Sequence, residues 1–357
     1  MTDTMVRPEA APAALDAADR AALVDSVRRL LADRCTEADV RRIMDSESGH
    51  DAALWRALVD LGVVGLTVPE EHGGAGLGPV ELELVMEEAG AALLPAPLIS
   101  TAMASVLFNG ERLAKIADGS TIAAVAFVGA YDWTGRSDVR VAGDRLTGTA
   151  RFVPDAAIAN LIVVAGEDGV FVVERCDVTI TPLPVFDRTR RMADVAFNGP
   201  ATRIGDSARV AAARDIGIVA LAGEQAGGVR RMLERTVAYA TERHQFGRAI
   251  GSFQAIKHMA ADLLLESESA TSAARDAARQ LTEGSQTKDA AIALAAFACA
   301  DAFVRVAKDG IQMHGGIAFT WTNPAHLYLR RARSGAQLLG DGNQWRERYI
   351  QALEAQA

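Results

Sequence analysis

Two short segments in the last third of the sequence carry residue types that bind a doubly charged phosphate group. Residues 243–254 read RHQFGRAIGSFQ, and residues 312–316 read QMHGG. The guanidinium of Arg243 can hold a pyrophosphate through paired hydrogen bonds, and Gly315 and Gly316 lack the Cβ atoms that keep a backbone away from a ligand. Taken singly, a glycine pair and a cation also fit an ordinary helix end. Their joint presence favours a phosphate site.

The two segments resemble a pair of signature motifs of the acyl-CoA dehydrogenase family, Arg-x-x-Phe-Gly…Phe-Gln and Gln-x-x-Gly-Gly. The resemblance extends to residues 55–76, which contain a Pro-Glu-Glu-x-Gly-Gly loop, and to the strand pattern of residues 146–159. It implies that FAD is the cofactor. The residues that it assigns to the pyrophosphate and adenosine end of FAD are Arg243, Phe246, Gln254, Gln312, Gly315 and Gly316.

The residue pattern predicts an α+β protein with three domains after a flexible tail at residues 1–12. Apolar residues recur at helical spacing up to about residue 108, which predicts an N-terminal helical domain at 13–118. Short Val/Ile/Phe runs separated by Gly, Asp and Pro predict a middle β-domain at 119–205, with a hairpin at Glu167-Asp168-Gly169. Long helical patterns return in 206–357 and predict a helical bundle. The family resemblance implies the same order: an all-α domain, a β-barrel-like domain and a four-helix bundle.

The resemblance implies α,β-dehydrogenation of an acyl-CoA thioester, in which a carboxylate removes the α proton. The two positions that hold this base in relatives fall here on Leu339 and Gly217, neither of which can accept a proton. Two nearby carboxylates remain as candidates. Glu224 lies two helical turns beyond Gly217 among small residues, where burial would raise its pKa. The alternative is a buried partner for an arginine such as Arg230.

The second candidate base is Asp341, which lies two residues beyond Leu339 and precedes Gly342. Its side chain is shorter than that of glutamate, and an insertion is needed to bring it to the position of the base. The alternative is an ordinary turn residue before a glycine.

The positions that contact the flavin ring in the family also differ. The ring-binding loop is expected after Ala123-Ala124, but the chain reads VAFVGAYDWTG there. At a position where the family has a hydroxyl, this chain has Pro154, which offers neither a hydroxyl nor a backbone N–H. The chain therefore retains the motifs for one end of FAD and lacks those for the other end.

In the family, one subunit binds the flavin ring and its neighbour binds the adenosine end, so this asymmetry predicts a homologous partner subunit in an α2β2 assembly. Three hypotheses remain open: an active subunit of such an assembly, a structural subunit without turnover, or a homo-oligomeric flavoenzyme such as an oxidase. The resemblance also implies an electron acceptor such as electron-transfer flavoprotein. Short members that act on steroid side chains are similar to this chain.

Composition predicts a cytoplasmic enzyme. The net charge of −9 argues against nucleic acid or an anionic membrane as the main partner. No apolar run approaches the roughly 18 residues of a membrane span, and the first dozen residues lack the pattern of a signal peptide. The three cysteines have no metal-binding spacing and are expected to be reduced thiols.

Overall fold

The N-terminal part of the protein is helical, as predicted. The computed structural model describes residues 15–356, so the tail predicted at residues 1–12 lies outside them. Asp16 and Thr36 cap the first two helices by accepting hydrogen bonds from backbone N–H groups. The helices are α1 (Ala17–Arg34), α2 (Glu37–Asp45), α3 (Ala52–Asp60), α4 (Pro79–Ala91), α5 (Leu98–Leu107) and α6 (Gly110–Ala117).

The middle part contains two four-stranded sheets. The first has the order β1-β4-β5-β8, in which β1 and β4 run parallel, and the second has the antiparallel order β2-β3-β7-β6. Gly166 pairs with Gly169 across a two-residue loop, which confirms the predicted hairpin. The strands are β1 (Ala123–Phe127), β2 (Arg140–Ala142), β3 (Arg145–Pro154), β4 (Leu161–Gly166), β5 (Gly169–Glu174), β6 (Val178–Pro182), β7 (Met192–Pro200) and β8 (Thr202–Gly205).

The C-terminal part is a bundle built around one helix of 35 residues, α7. A short hairpin of β9 (His244–Gln245) and β10 (Arg248–Ala249) separates α7 from α8. The α+β class and the order of all-α, β and bundle regions are confirmed. The limits 13–118, 119–205 and 206–357 stay our proposal for the domains. The helices are α7 (Ala208–Glu242), α8 (Gln254–Glu283), α9 (Lys288–His314), α10 (Ala325–Gly335) and α11 (Gly342–Glu354).

Glycines on α7 let helix α4 approach its backbone closely. A Cβ atom added to Gly227 would lie 1.7 Å from the carbonyl oxygen of Glu87, and one added to Gly223 would lie 2.6 Å from that of Glu83. Gly90 on α4 meets the carbonyl oxygen of Glu224 in the same way, at 1.8 Å. No side chain fits between the two helices at these points, so the small residues around Glu224 serve helix packing.

Helix α9 is the one place in residues 15–356 where length and composition would allow a membrane span. It is the core of the bundle, because 61% of its apolar window is buried inside the protein. Its buried residues include Phe303 and Val306, both at 0% exposure. The sequence-based statement that no apolar run approaches a span missed this helix, whose apolar stretch is interrupted by a few charges.

Candidate functional site

The first motif forms a turn at the end of α7. Arg243 is the residue that ends the helix, and its N–H donates to the carbonyl oxygen of Tyr239. The chain then reverses in the β9–β10 hairpin, where Phe246 and Gly247 both have positive φ, 55° and 79°. Gly247 adopts this conformation without strain. Phe246 lies at the tip of the turn with 92% of its surface exposed.

The second motif ends α9 at the same end of the bundle. Gly315 takes a positive φ of 69° directly after His314, the last residue of the helix. The His314 ring stacks on the ring of Tyr239 at a centroid distance of 4.5 Å. Tyr239 also accepts the backbone hydrogen bond from Arg243, so the stacked pair brings the two motifs together.

The groups expected to contact FAD point into open space. Arg243, Gln254 and Gln312 are exposed. Within residues 15–356, the Arg243 side chain forms no ion pair or hydrogen bond, and a Cβ atom added to Gly315 or Gly316 would meet no atom within 4 Å. An exposed guanidinium and a stretch of bare backbone at the same end of the bundle fit the pyrophosphate of a dinucleotide. This set of residues therefore fits one end of FAD.

The two positions that hold the base in relatives are brought together, and both are apolar. A Cβ atom added to Gly217 would lie 2.7 Å from Met103 Sδ and 3.0 Å from Leu339 Cδ1. Leu339 is buried, with 5% of its surface exposed. A carboxylate side chain at position 217 would collide with both neighbours, and the Leu339 side chain cannot accept a proton, so neither position supplies a base.

Asp341 caps helix α11. Its Oδ1 accepts hydrogen bonds from the backbone N–H groups of Asn343 and Gln344, both at 2.9 Å. Such a cap stabilises the helix by satisfying its free donors. These two hydrogen bonds favour the alternative that Asp341 is a structural residue at the turn. Its role as a base stays a prediction.

Glu224 is buried in an ion-pair network. Arg190 Nη2 donates to its Oε1 at 2.7 Å, and Arg331 Nη1 donates to its Oε2 at 2.9 Å. Burial raises the pKa of the Glu224 carboxyl, but the two arginines outweigh burial and hold its pKa below the ordinary value. The expected raised pKa is therefore wrong in direction. The alternative, a buried partner for an arginine, is borne out, but the arginines are Arg190 and Arg331, since Arg230 pairs with Glu88.

Arg331 links this network to the β6–β7 connection. Its Nε lies 3.0 Å from an oxygen of Asp187 and donates to the hydroxyl of Thr189, also at 3.0 Å. Only 2% of Arg331 is exposed. Arg190 and Arg331 each belong to a cluster of arginines in the sequence, at 188–191 and 330–333, and both pair with Glu224 inside the protein. Asp187, directly before the first cluster, was the overlooked sign of an internal pair.

The loop that follows β1 is held in place by hydrogen bonds between its own residues. Asp132 accepts hydrogen bonds from the backbone N–H groups of Thr134, Arg136 and Ser137, at 2.8 to 3.0 Å. At the end of β3, Pro154 is followed by Asp155, which accepts a hydrogen bond from Ser100 at 2.6 Å. Burial raises the pKa of Asp155. A half-buried aspartate thus lies directly after Pro154.

Comparison with known proteins agrees with this architecture. Residues 17–115 match the N-terminal domain of acyl-CoA dehydrogenases, and residues 215–353 match the C-terminal domain. The acyl-CoA dehydrogenase IpdE2 of Mycolicibacterium smegmatis is 36% identical over 327 residues, which cover 90% of this chain and 94% of IpdE2.

Two solved structures share both fold and sequence with this chain. A steroid acyl-CoA dehydrogenase variant, Tcur3481-Tcur3483 G363A, superposes with a TM-score of 0.87 at 28% identity and covers 95% of this chain and 98% of that chain. The ChsE4-ChsE5 complex of Mycobacterium tuberculosis has a TM-score of 0.87 at 27% identity, with 96% and 98% covered. The chain belongs to the acyl-CoA dehydrogenase family of FAD-dependent oxidoreductases.

Proposed function

We propose that this chain is one subunit of a hetero-oligomeric, FAD-dependent acyl-CoA dehydrogenase. Its share of the site is the pyrophosphate and adenosine end of an FAD whose ring is held by a homologous partner subunit. When bound, the flavin takes up the hydride that leaves the β carbon of the acyl group. The residues of this chain bind and orient the far end of the cofactor.

One observation carries the proposal: one end of the site is open to a ligand, and the other end is filled by side chains. Arg243 and Gly316 are open to a ligand, whereas Gly217 is packed against Met103 and Leu339. In relatives the base stands at one of these two positions, and here neither residue can accept a proton. We infer that the partner subunit supplies the base; Glu224 and Asp341 of this chain are the alternatives that mutation must test.

Relatives suggest the substrate and the kind of partner. The solved structures most relevant here are described as a steroid acyl-CoA dehydrogenase and as a complex of two differently named proteins. We infer a CoA thioester with a bulky, ring-containing acyl group, a cytoplasmic complex and an electron acceptor such as electron-transfer flavoprotein.

Flavin content tests the proposal. The chain purified alone is expected to be colourless, and the chain co-expressed with its homologous partner is expected to carry FAD. Arg243→Ala should lower the FAD content of the complex at least tenfold, because the pyrophosphate loses its guanidinium. Arg140→Ala, which removes an exposed arginine from β2, is the matched control.

Two results would contradict this assignment. A yellow homo-oligomer that bleaches with an acyl-CoA would favour the homo-oligomeric flavoenzyme. Full FAD content in an intact Arg243→Ala complex would show that Arg243 does not hold the pyrophosphate. Absorbance of the bound flavin and the mass of the complex are the two measurements.

A further inference from the structure

The two motifs that we assign to the FAD tail, residues 243–254 and 312–316, follow a tight crossing of helices α7 and α9. A Cβ atom added to Gly310 on α9 would lie 2.5 Å from Met232 Cε and 2.8 Å from Thr236 Oγ1, both on α7. Thr236 is fully buried, and its hydroxyl donates to the Met232 carbonyl oxygen at 2.7 Å. The crossing therefore fixes the separation of the two helices close to where each of them ends.

The His314 side chain is bound to this crossing by a hydrogen bond. His314 is the last residue of α9, and its Nδ1 lies 2.8 Å from the carbonyl oxygen of Gly310. Because a carbonyl oxygen can only accept, Nδ1 carries the hydrogen and donates. Burial lowers the pKa of His314 more than this hydrogen bond raises it, which favours the neutral ring. The ring is therefore held in one tautomer and one orientation.

The His314 ring also contacts α7, through Tyr239. The two ring planes are 18° apart at a centroid distance of 4.5 Å, so the rings are stacked. The carbonyl oxygen of Tyr239 accepts from the backbone N–H of Arg243 at 2.9 Å. His314 thus connects the end of α9 to the residue of α7 that holds the Arg243 backbone.

The glycine pair is attached to His314 through the backbone. Gly315 follows directly, with φ 69° and ψ −149°, a conformation that only glycine adopts readily. Its N–H donates to the carbonyl oxygens of Ile311 and Gln312, so it remains part of the helix end. A shift of the His314 ring would therefore move Gly315 relative to α7. An apolar ring could stack on Tyr239 as well, but it could not donate to Gly310.

We propose that His314 is a positioning residue, which sets the distance between the Gly315–Gly316 backbone and the guanidinium of Arg243. The inference rests on the proposed function and deepens it, because it identifies what holds the two motifs together before FAD binds. A pyrophosphate needs both groups at once, and a site in which they are already fixed loses less freedom on binding. The role requires no contact of His314 with the cofactor and no proton transfer.

Hydrogen exchange of the isolated chain without FAD tests the link between the motifs. His314→Ala is expected to speed amide exchange of residues 243–250 and 315–321 together, about tenfold, by local opening. His314→Phe keeps a ring on Tyr239, and His314→Asn keeps a donor near the place of Nδ1, so each should have a smaller effect. Strand β4 is the internal reference and should exchange at the unmutated rate. Unchanged exchange of residues 243–250 in His314→Ala would overturn the proposal.

Release of FAD from the co-expressed complex, loaded with excess FAD, tests the consequence for binding. His314→Ala should speed release about tenfold, because the cofactor must then order the two motifs itself. His314→Phe should restore much of the loss. In an Arg243→Ala background, His314→Ala should speed release less than about twofold, since residues that act together are not additive. Equal fold-changes in the two backgrounds would overturn the proposal.

His50→Ala is the matched control, because His50 also packs against an aromatic ring, that of Trp55, but in the N-terminal helical part. It should leave both measurements unchanged. If Arg243→Ala loses FAD and His314→Ala changes neither measurement, the proposed function stands and this inference fails. If His314→Ala loosens both motifs while Arg243→Ala keeps its FAD, the positioning role stands and the assignment of FAD to the motifs fails.

Discussion

At the residue scale, the sequence predicted that Glu224 is buried but could not predict its ion-pair partners. Its setting among small residues predicted burial, and burial is confirmed at 4% exposure. Its partners could not be predicted, because Arg190 and Arg331 lie 34 and 107 residues away in the chain. A buried carboxylate in this position is stable only because both guanidinium groups face it.

Replacing Glu224 should affect stability more than chemistry. Glu224→Ala leaves two buried arginines without their carboxylate and should lower the free energy of unfolding by about 3–5 kcal/mol. Glu224→Gln should cost less and leave kcat of the reconstituted complex unchanged. Urea denaturation and steady-state turnover measure the two effects, with the exposed Glu234→Gln as control. A large loss of kcat in a Glu224→Gln complex of normal stability would instead identify Glu224 as the base.

A second buried carboxyl group, Glu83 on α4, should make stability depend on pH. Only 1% of Glu83 is exposed, and its Oε1 has no hydrogen-bond partner. Burial, and then the nearby Glu87, raise its pKa well above the ordinary value. Below the ordinary glutamate pKa both folded and unfolded chains are protonated, so this contribution to stability is fully present. As pH rises, the unfolded chain loses its proton first and the contribution declines until the folded pKa is passed.

Glu83→Gln removes this titration. The variant is expected to lose less stability than the unmutated protein between the ordinary glutamate pKa and higher pH. Denaturation midpoints measured across that range give the two slopes. Identical slopes for the two proteins would show that Glu83 is not protonated in the folded chain.

At the element scale, the close crossing of α4 and α7 depends on missing side chains. Gly227→Ala places a methyl group against the Glu87 carbonyl and should lower the free energy of unfolding by about 1–3 kcal/mol, as overpacking does. Gly199→Ala is the control, since a Cβ atom there meets nothing within 4 Å. Urea denaturation compares the two. Equal stability of both variants would mean that the helices can separate at no cost.

The spacing of apolar residues predicted where helices form, but it did not predict which helix faces are covered by the rest of the chain. On α8, Leu263 is buried at 1% exposure, but the neighbouring Leu264 is 50% exposed and Leu265 is 68% exposed. An apolar residue on a helix face indicates that something covers it, and a single sequence does not say whether the cover is its own chain. The hairpin at residues 167–168 was predictable because its signal is local.

At the scale of the whole molecule, large apolar side chains are exposed in and near the two motifs. Phe246 is 92% exposed within the first motif, and Phe319 is 77% exposed three residues after Gly316. Exposed apolar side chains of this size fit an interaction site, which agrees with the partner subunit that we propose. The two motifs of the site could be predicted from sequence because they are short and specific. The packing of Met103 against Gly217 could not, since it joins distant segments.

Hydrogen exchange should reveal the interface in the assembled complex. Amides of residues 243–254, 315–321 and the α8 segment around Leu264 are expected to exchange at least tenfold more slowly than in the isolated chain. Residues 140–145, an exposed hairpin of the β region, should exchange at the same rate in both. Unchanged exchange in the first three segments would place the partner elsewhere.

The glycine-lined crossing has a further consequence for the integrity of the protein. Because α4 lies directly on the backbone of α7, the N-terminal helices act as the cover of the bundle. Their loss would lay bare a strip of main chain at Gly223 and Gly227 with no side chains to shield it. We therefore expect a chain truncated before α7 to be less stable than the intact protein, because α7 loses the packing that α4 provides.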